Sequence, residues 1–123
     1  MIHQFKSAVI VTEDLDVINT LSNLLIQLDY SILIEKSKMK SISKILESKT
    51  DLVFLDIGLS HYSILDLINI IKLMRPRLPI IVLSDDNSTE LMKSIAELGI
   101  LYCALKPIQQ EEMQFLLSKV GLN

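Results

Sequence analysis

The chain has 123 residues, half of them hydrophobic, a formal net charge of −3 and a single cysteine, Cys103. That length and apolar content suit one ordinary domain, expected over residues 1–123, with a core large enough to need no staples. One cysteine excludes an internal disulfide, and without a Cys/His cluster at zinc spacing the chain reads as intracellular, cytoplasmic and not knitted by a metal. A sequence pI near 5.3 argues against nucleic acid or an anionic membrane surface as the main partner, since both call for clustered Lys and Arg.

The N-terminal stretch MIHQFKSAVIVTEDLD is too short in its apolar part for a signal peptide or a membrane span. It predicts a first strand over Ala8 to Val11, ending in Thr12-Glu13-Asp14. Val17, Leu21, Leu24, Leu25 and Leu28 then fall on one helical stripe, with Asp16 placed to cap its start. Ser31 to Ile34 reads as a second strand and Met39 to Glu47 as a second helix. Leu52 to Leu55 is a third, wholly apolar strand that runs into Asp56. Leu65, Ile68, Ile71 and the stem of Lys72 share a helical face behind Ser63 as a cap. Ile80 to Leu83 is a fourth strand ending in Ser84-Asp85, followed by a helix over Glu90 to Leu98 with Ser88 at its start and Gly99 at its end. A weaker fifth strand, Leu101 to Leu105, ends in Lys106-Pro107, and a last helix spans Gln110 to Val120, stopped by Gly121.

Five strand–helix units in alternation predict an α/β fold, a doubly wound five-stranded parallel sheet with helices on both faces. The mean hydropathy of +0.41 is high because such strands are buried on both sides, not because any segment is membrane-spanning. In open sheets of this kind the chemistry gathers outside the carboxyl ends of the strands. Here those ends supply Glu13, Asp14, Asp56, Ser84 and Lys106.

Carboxylates converging from neighbouring strand ends repel one another, and a hard divalent cation such as Mg²⁺ relieves that repulsion. Glu13, Asp14 and Asp56 are its candidate ligands. A carboxylate beside such a cation can attack a phosphoryl group, a role that suits the central Asp56, with Lys106 balancing charge and the Ser84 hydroxyl donating to a phosphoryl oxygen. Each residue taken singly has a plainer use. Acids at a helix start favour its dipole, a serine at a strand end makes turns, and an isolated lysine is a solvated surface group. Their joint occurrence at these strand ends favours the functional reading. His3 and His61 read as surface residues, and Met74, Met92 and Met113 as packing.

The segments VTEDLDV, DLVFLDIGLS, PIIVLSD and LKPI occur in the order and with the residue types of the receiver domain of response regulators, the CheY-like family of two-component systems. The chain resembles that family over nearly its whole length. The resemblance implies flavodoxin-like (CheY-like) topology and phosphoryl transfer to Asp56 from a histidine kinase or phosphotransfer protein, with Mg²⁺ bound by Glu13, Asp56 and the main-chain carbonyl of Gly58. It also implies a cis Lys106-Pro107 bond and a two-state output, in which Ser84 closes on the phosphoryl group and the last helices and strand rearrange toward a downstream protein, an effector domain or a second copy in a homodimer. The phosphorylation would be regulatory chemistry, not metabolic turnover. Thr12 stands where the family has the first of two adjacent acids, Asp85 where it prefers a small residue, and Cys103 where it carries a switch aromatic. Strand alternation would send the neighbouring Tyr102 to the opposite face from Cys103. A degenerate receiver, kept as a protein-binding module without phosphorylation, is the alternative that these departures favour. A flavin- or nucleotide-binding protein of similar topology is disfavoured, because a chain with three glycines and an acidic first loop cannot build a phosphate cradle.

Overall fold

The computed structural model describes residues 6–47, 49–58, 64–85 and 89–120. Its elements run β1 (Lys6–Val11), α1 (Leu15–Gln27), β2 (Tyr30–Glu35), α2 (Lys38–Glu47), β3 (Leu52–Asp56), α3 (Ile64–Met74), β4 (Ile80–Ser84), α4 (Thr89–Ala96), β5 (Tyr102–Leu105) and α5 (Gln110–Val120). All strand pairs are parallel, and the sheet order is β2-β1-β3-β4-β5. The doubly wound five-stranded sheet expected from the alternation of elements is therefore present.

Strand periodicity divides the core into two layers. Ala8, Ile10, Leu52, Phe54, Ile81, Leu83 and Ala104 face one way and pack with Val17, Leu21, Leu24 and Leu25 of α1 and Met113 and Leu117 of α5. Val9, Val11, Val53, Leu55, Ile80 and Val82 face the other way, onto Ile45 of α2, Ile64, Leu67, Ile68 and Ile71 of α3 and Ile95 of α4. Successive side chains of a strand point to opposite faces, so a sheet covered on both sides needs continuous apolar runs. Among the described residues no helix is long and apolar enough to cross a membrane.

Asp14, not Asp16, caps α1. It has extended backbone angles (φ −80°, ψ 115°), and its carboxylate accepts from the N–H groups of Asp16 and Val17. Asp16 already lies within the first helical turn, so its contribution is a negative charge at the positive end of the helix. The proposed caps Ser63 and Ser88 and the stop at Gly121 lie outside the described residues. Gly99, after α4, has φ +77°, the left-handed conformation expected at a helix end. Between α1 and β2 the same region is occupied by Asp29 at φ 63°, one of the few side chains that tolerate it.

From β1 the chain steps first to β2 on one side and then to β3 on the other. That reversal of direction leaves a crevice over the carboxyl ends of β1 and β3, where Thr12 and Asp56 sit.

Candidate functional site

The site begins with strand register. Ala8 pairs with Leu52 and Ile10 with Phe54, so Thr12, two residues further, extends toward Asp56 on the same face. Both are buried, Thr12 at 0% and Asp56 at 2% relative exposure. The Thr12 hydroxyl donates to Asp56 Oδ2 at 2.6 Å. The same oxygen Oγ1 accepts the Asp14 N–H at 3.0 Å, which ties the phosphoacceptor candidate to the start of α1.

Lys106 arrives from the far edge. Its backbone N–H bonds to the Ser84 carbonyl at 2.7 Å, which fixes the end of β5 against β4. The Lys106-Pro107 bond is cis, as the resemblance implied. The ammonium group bridges two carboxylates, Asp56 Oδ2 at 2.8 Å and Asp14 Oδ2 at 3.2 Å. Burial opposes the charge on Lys106, but the hydrogen bonds and charges of Asp56 and Asp14 outweigh it and raise its pKa above the ordinary lysine value. Burial likewise works to raise the Asp14 pKa. Here the Lys106 hydrogen bond, the Val17 and Asp16 N–H groups and the Lys106 charge prevail, so that the carboxyl is held below its usual range.

The remaining Asp56 oxygen, Oδ1, accepts the Gly58 N–H at 2.9 Å. A Cβ on Gly58 would lie 3.2 Å from Oδ1 and 3.5 Å from Lys106 Nζ, so the absence of a side chain keeps this corner open. Ser84, the last residue of β4, is fully buried one strand away. Glu13 is exposed and has the parity of Val11, opposite to that of Thr12. Thus the structure brings Thr12, Asp14, Asp56, Gly58 and Lys106 into one bonded cluster, with Ser84 at the neighbouring strand end. Glu13 stays on the rim. Thr12 stands where the family has an acid, and the parity of Ala8, Ile10 and Thr12 against Leu52, Phe54 and Asp56 is the signal in the sequence for its contact with Asp56.

Two carboxylates with hard oxygens sharing one positive charge are a donor set that magnesium accepts, since the ion takes one or two carboxylates and keeps several waters. Lys106 marks where positive charge is stabilised, and Asp14 and Asp56 supply the oxygens. Among the described residues no group of three or more His, Cys, Asp or Glu side chains converges to hold a metal. The fit is therefore that of a two-carboxylate site. Beside it opens a cavity of about 530 Å³ lined by Asp14, Asp16, Asp85 and Lys106 together with Val17, Thr20, Pro107 and Ile108.

The fold that carries these residues is shared with known proteins. The family model of the response regulator receiver domain matches residues 8–118, and the chain belongs to that family. A response regulator from Thermotoga maritima is similar in fold at a TM-score of 0.85 and 22% identity, covering 98% of this chain and 100% of its own. A CheY-like receiver domain protein from Methanospirillum hungatei gives 0.85 at 19% identity, covering 97% and 96%. The receiver domain of a sensor histidine kinase from Pseudomonas aeruginosa, with a magnesium ion coordinated in its active-site cleft, gives 0.80 at 16% identity, covering 96% and 99%. No curated protein matches the chain by sequence.

Proposed function

We propose that the chain is a cytoplasmic phosphoacceptor switch of two-component signalling, charged on Asp56 by a partner histidine kinase or phosphotransfer protein. The observation that carries this reading is the buried Asp56 carboxylate, held at a strand end by Thr12, Lys106 and the Gly58 N–H. A carboxylate so fixed is oriented before the donor arrives, which removes much of the entropic cost of attack. One Asp56 oxygen attacks phosphorus, and the bond from phosphorus to the donor nitrogen breaks with its electron pair left on the donor. Lys106 balances the charge that gathers on the phosphoryl oxygens, and the Ser84 hydroxyl bonds one of them. Magnesium, held by Asp56 and Asp14 with the Gly58 carbonyl and Glu13 at the rim, would neutralise negative charge shared by acceptor and donor. The switched state then alters binding to a downstream protein or effector domain.

The test is intact mass after incubation with acetyl phosphate and Mg²⁺. Wild type is expected to gain one phosphoryl group, and Asp56→Asn none. A second reading, a receiver that works only as a protein-binding module, is favoured by Thr12 in place of an acid and by Asp85, an exposed carboxylate lining the cavity beside Lys106. No mass gain with either acetyl phosphate or phosphoramidate would decide for that module.

A further inference from the structure

We infer that Thr12 is a positioning residue that shortens the life of phosphorylated Asp56, an inference that rests on the phosphoacceptor reading above. The direction of the Thr12 hydroxyl proton is fixed by its neighbours. Its oxygen accepts the Asp14 N–H, and an ionised carboxylate can only accept, so the proton lies on the 2.6 Å contact to Asp56 Oδ2. Lys106 donates to the same Oδ2 at 2.8 Å. Oδ2 takes two donors and Oδ1 only one, the Gly58 N–H, so Oδ1 is the less encumbered oxygen to carry the phosphoryl group, and the side-chain-free Gly58 leaves space beside it.

The consequence lies in how these bonds change with charge. A hydrogen bond to an ionised oxygen is about twice as strong as one to a neutral oxygen. While Asp56 is a free carboxylate, Oδ2 carries part of its negative charge. Once Oδ1 bears phosphate, Oδ2 is the neutral carbonyl oxygen of an acyl phosphate, and the bond from Thr12 weakens. Thr12 therefore stabilises the unphosphorylated state more than the phosphorylated one.

In hydrolysis a water oxygen bonds to phosphorus while the phosphorus–Oδ1 bond breaks. Its electron pair returns to the Asp56 carboxylate, and the water protons stay with the inorganic phosphate. The charge that develops on the leaving carboxylate is met by a Thr12 donor already in place, so the transition state shares in the stabilisation. The carboxylate usual at this position in the family would face Asp56 as a second anion. Thr12 meets it as a neutral donor, buried at 0% exposure and unable to swing into solvent.

The experiment follows the loss of the phosphoryl group from Asp56 by intact mass after removal of acetyl phosphate, in wild type, Thr12→Val, Thr12→Ala and Thr12→Ser. Valine keeps the shape of threonine without the hydroxyl, alanine serves if valine does not fold, and serine restores the donor. The expected result is a half-life about three- to tenfold longer in the valine or alanine variant, the part of a charge-assisted hydrogen bond that is gained as Oδ2 becomes charged, and near wild type in the serine variant. The acyl carbonyl stretch of labelled phospho-Asp56 should also move to higher frequency when the hydroxyl is lost, which mere loosening of the fold would not produce. Equal half-lives in valine and wild type, or a serine variant that behaves like valine, would overturn the role of Thr12 while leaving Asp56 as acceptor. Failure of wild type to gain any phosphoryl group would overturn both.

Discussion

Strands β3 and β4 are buried at every position, whereas in β5 only Ala104 is buried, with Tyr102 and Leu105 exposed and Cys103 between. The difference follows from place in the sheet. The inner strands have a neighbour on each side and helices over both faces, while β5 pairs with β4 alone. The backbone positions of Asp56 and Ser84 are consequently set by close packing, and Lys106, at the end of the edge strand, is set by polar bonds to Ser84, Asp14 and Asp56. One site is thus assembled by two kinds of force, and each can be removed separately.

The largest effect is expected at the centre. Phe54 is fully buried two residues before Asp56, and Phe54→Ala should cost about 3–5 kcal/mol through lost burial and a residual cavity. Equilibrium denaturation would show this as a fall in the midpoint with the slope of the transition retained. A cost below about 1 kcal/mol would mean that packing does not fix the position of Asp56.

The polar clamp comes next. Lys106→Met keeps the apolar stem but leaves the buried Asp56 charge to Thr12 and Gly58, and should cost about 1.5–3 kcal/mol, the range for hydrogen bonds to charged groups. The pH dependence should change with it. Because the Lys106 pKa is raised on folding, its stabilising effect is complete below the unfolded value of about 10.4 and is lost as pH rises through the folded one. Because the Asp14 pKa is lowered, its effect is present above about 3.9 and is lost as pH falls through the folded value. Stability against pH should therefore decline at both extremes in wild type and more gently in Lys106→Met. Unchanged limbs in the mutant would show that the clamp contributes no linked stability.

These two forces also explain how much could be read in the sequence. The apolar runs of β3 and β4 and the stripe Val17, Leu21, Leu24, Leu25 announce themselves, since burial on a fixed period leaves a one-dimensional trace. The strand-end residues Asp56, Ser84 and Lys106 were legible for the same reason, each standing directly after such a run. The polar partners were less so. Whether Asp14 or Asp16 caps α1 depends on which residue is the last with extended backbone angles, a matter of two positions that apolar periodicity does not resolve. Nor does a list of acids show that Asp14 reaches Lys106, 92 positions away, while Glu13 beside it stays exposed. Alternation does hold for Cys103 and Ala104. Cys103 packs toward the layer containing α4, with its sulfur 3.4 Å from Met92 Sδ, while Ala104, on the parity of Tyr102, belongs to the layer of α1 and α5.

The smallest effect is expected at the edge. Leu105 is 46% exposed at the end of β5, and its exposed part contributes little to the core. Leu105→Gln should therefore change stability by no more than about 0.5 kcal/mol, as surface substitutions away from caps and cores do. Its immediate neighbour Lys106 makes the test sharp. If β5 were held mainly by apolar packing, the substitution would also loosen the ammonium group, and stability would fall toward that of Lys106→Met. If the hydrogen bond from Lys106 N–H to the Ser84 carbonyl and the two carboxylate contacts hold the strand end, the loss at Leu105 stays local. Denaturation of the double variant separates these cases. Additive costs in Leu105→Gln with Lys106→Met indicate independent forces, and a coupling above about 0.5 kcal/mol would show that edge packing and polar clamp act as one.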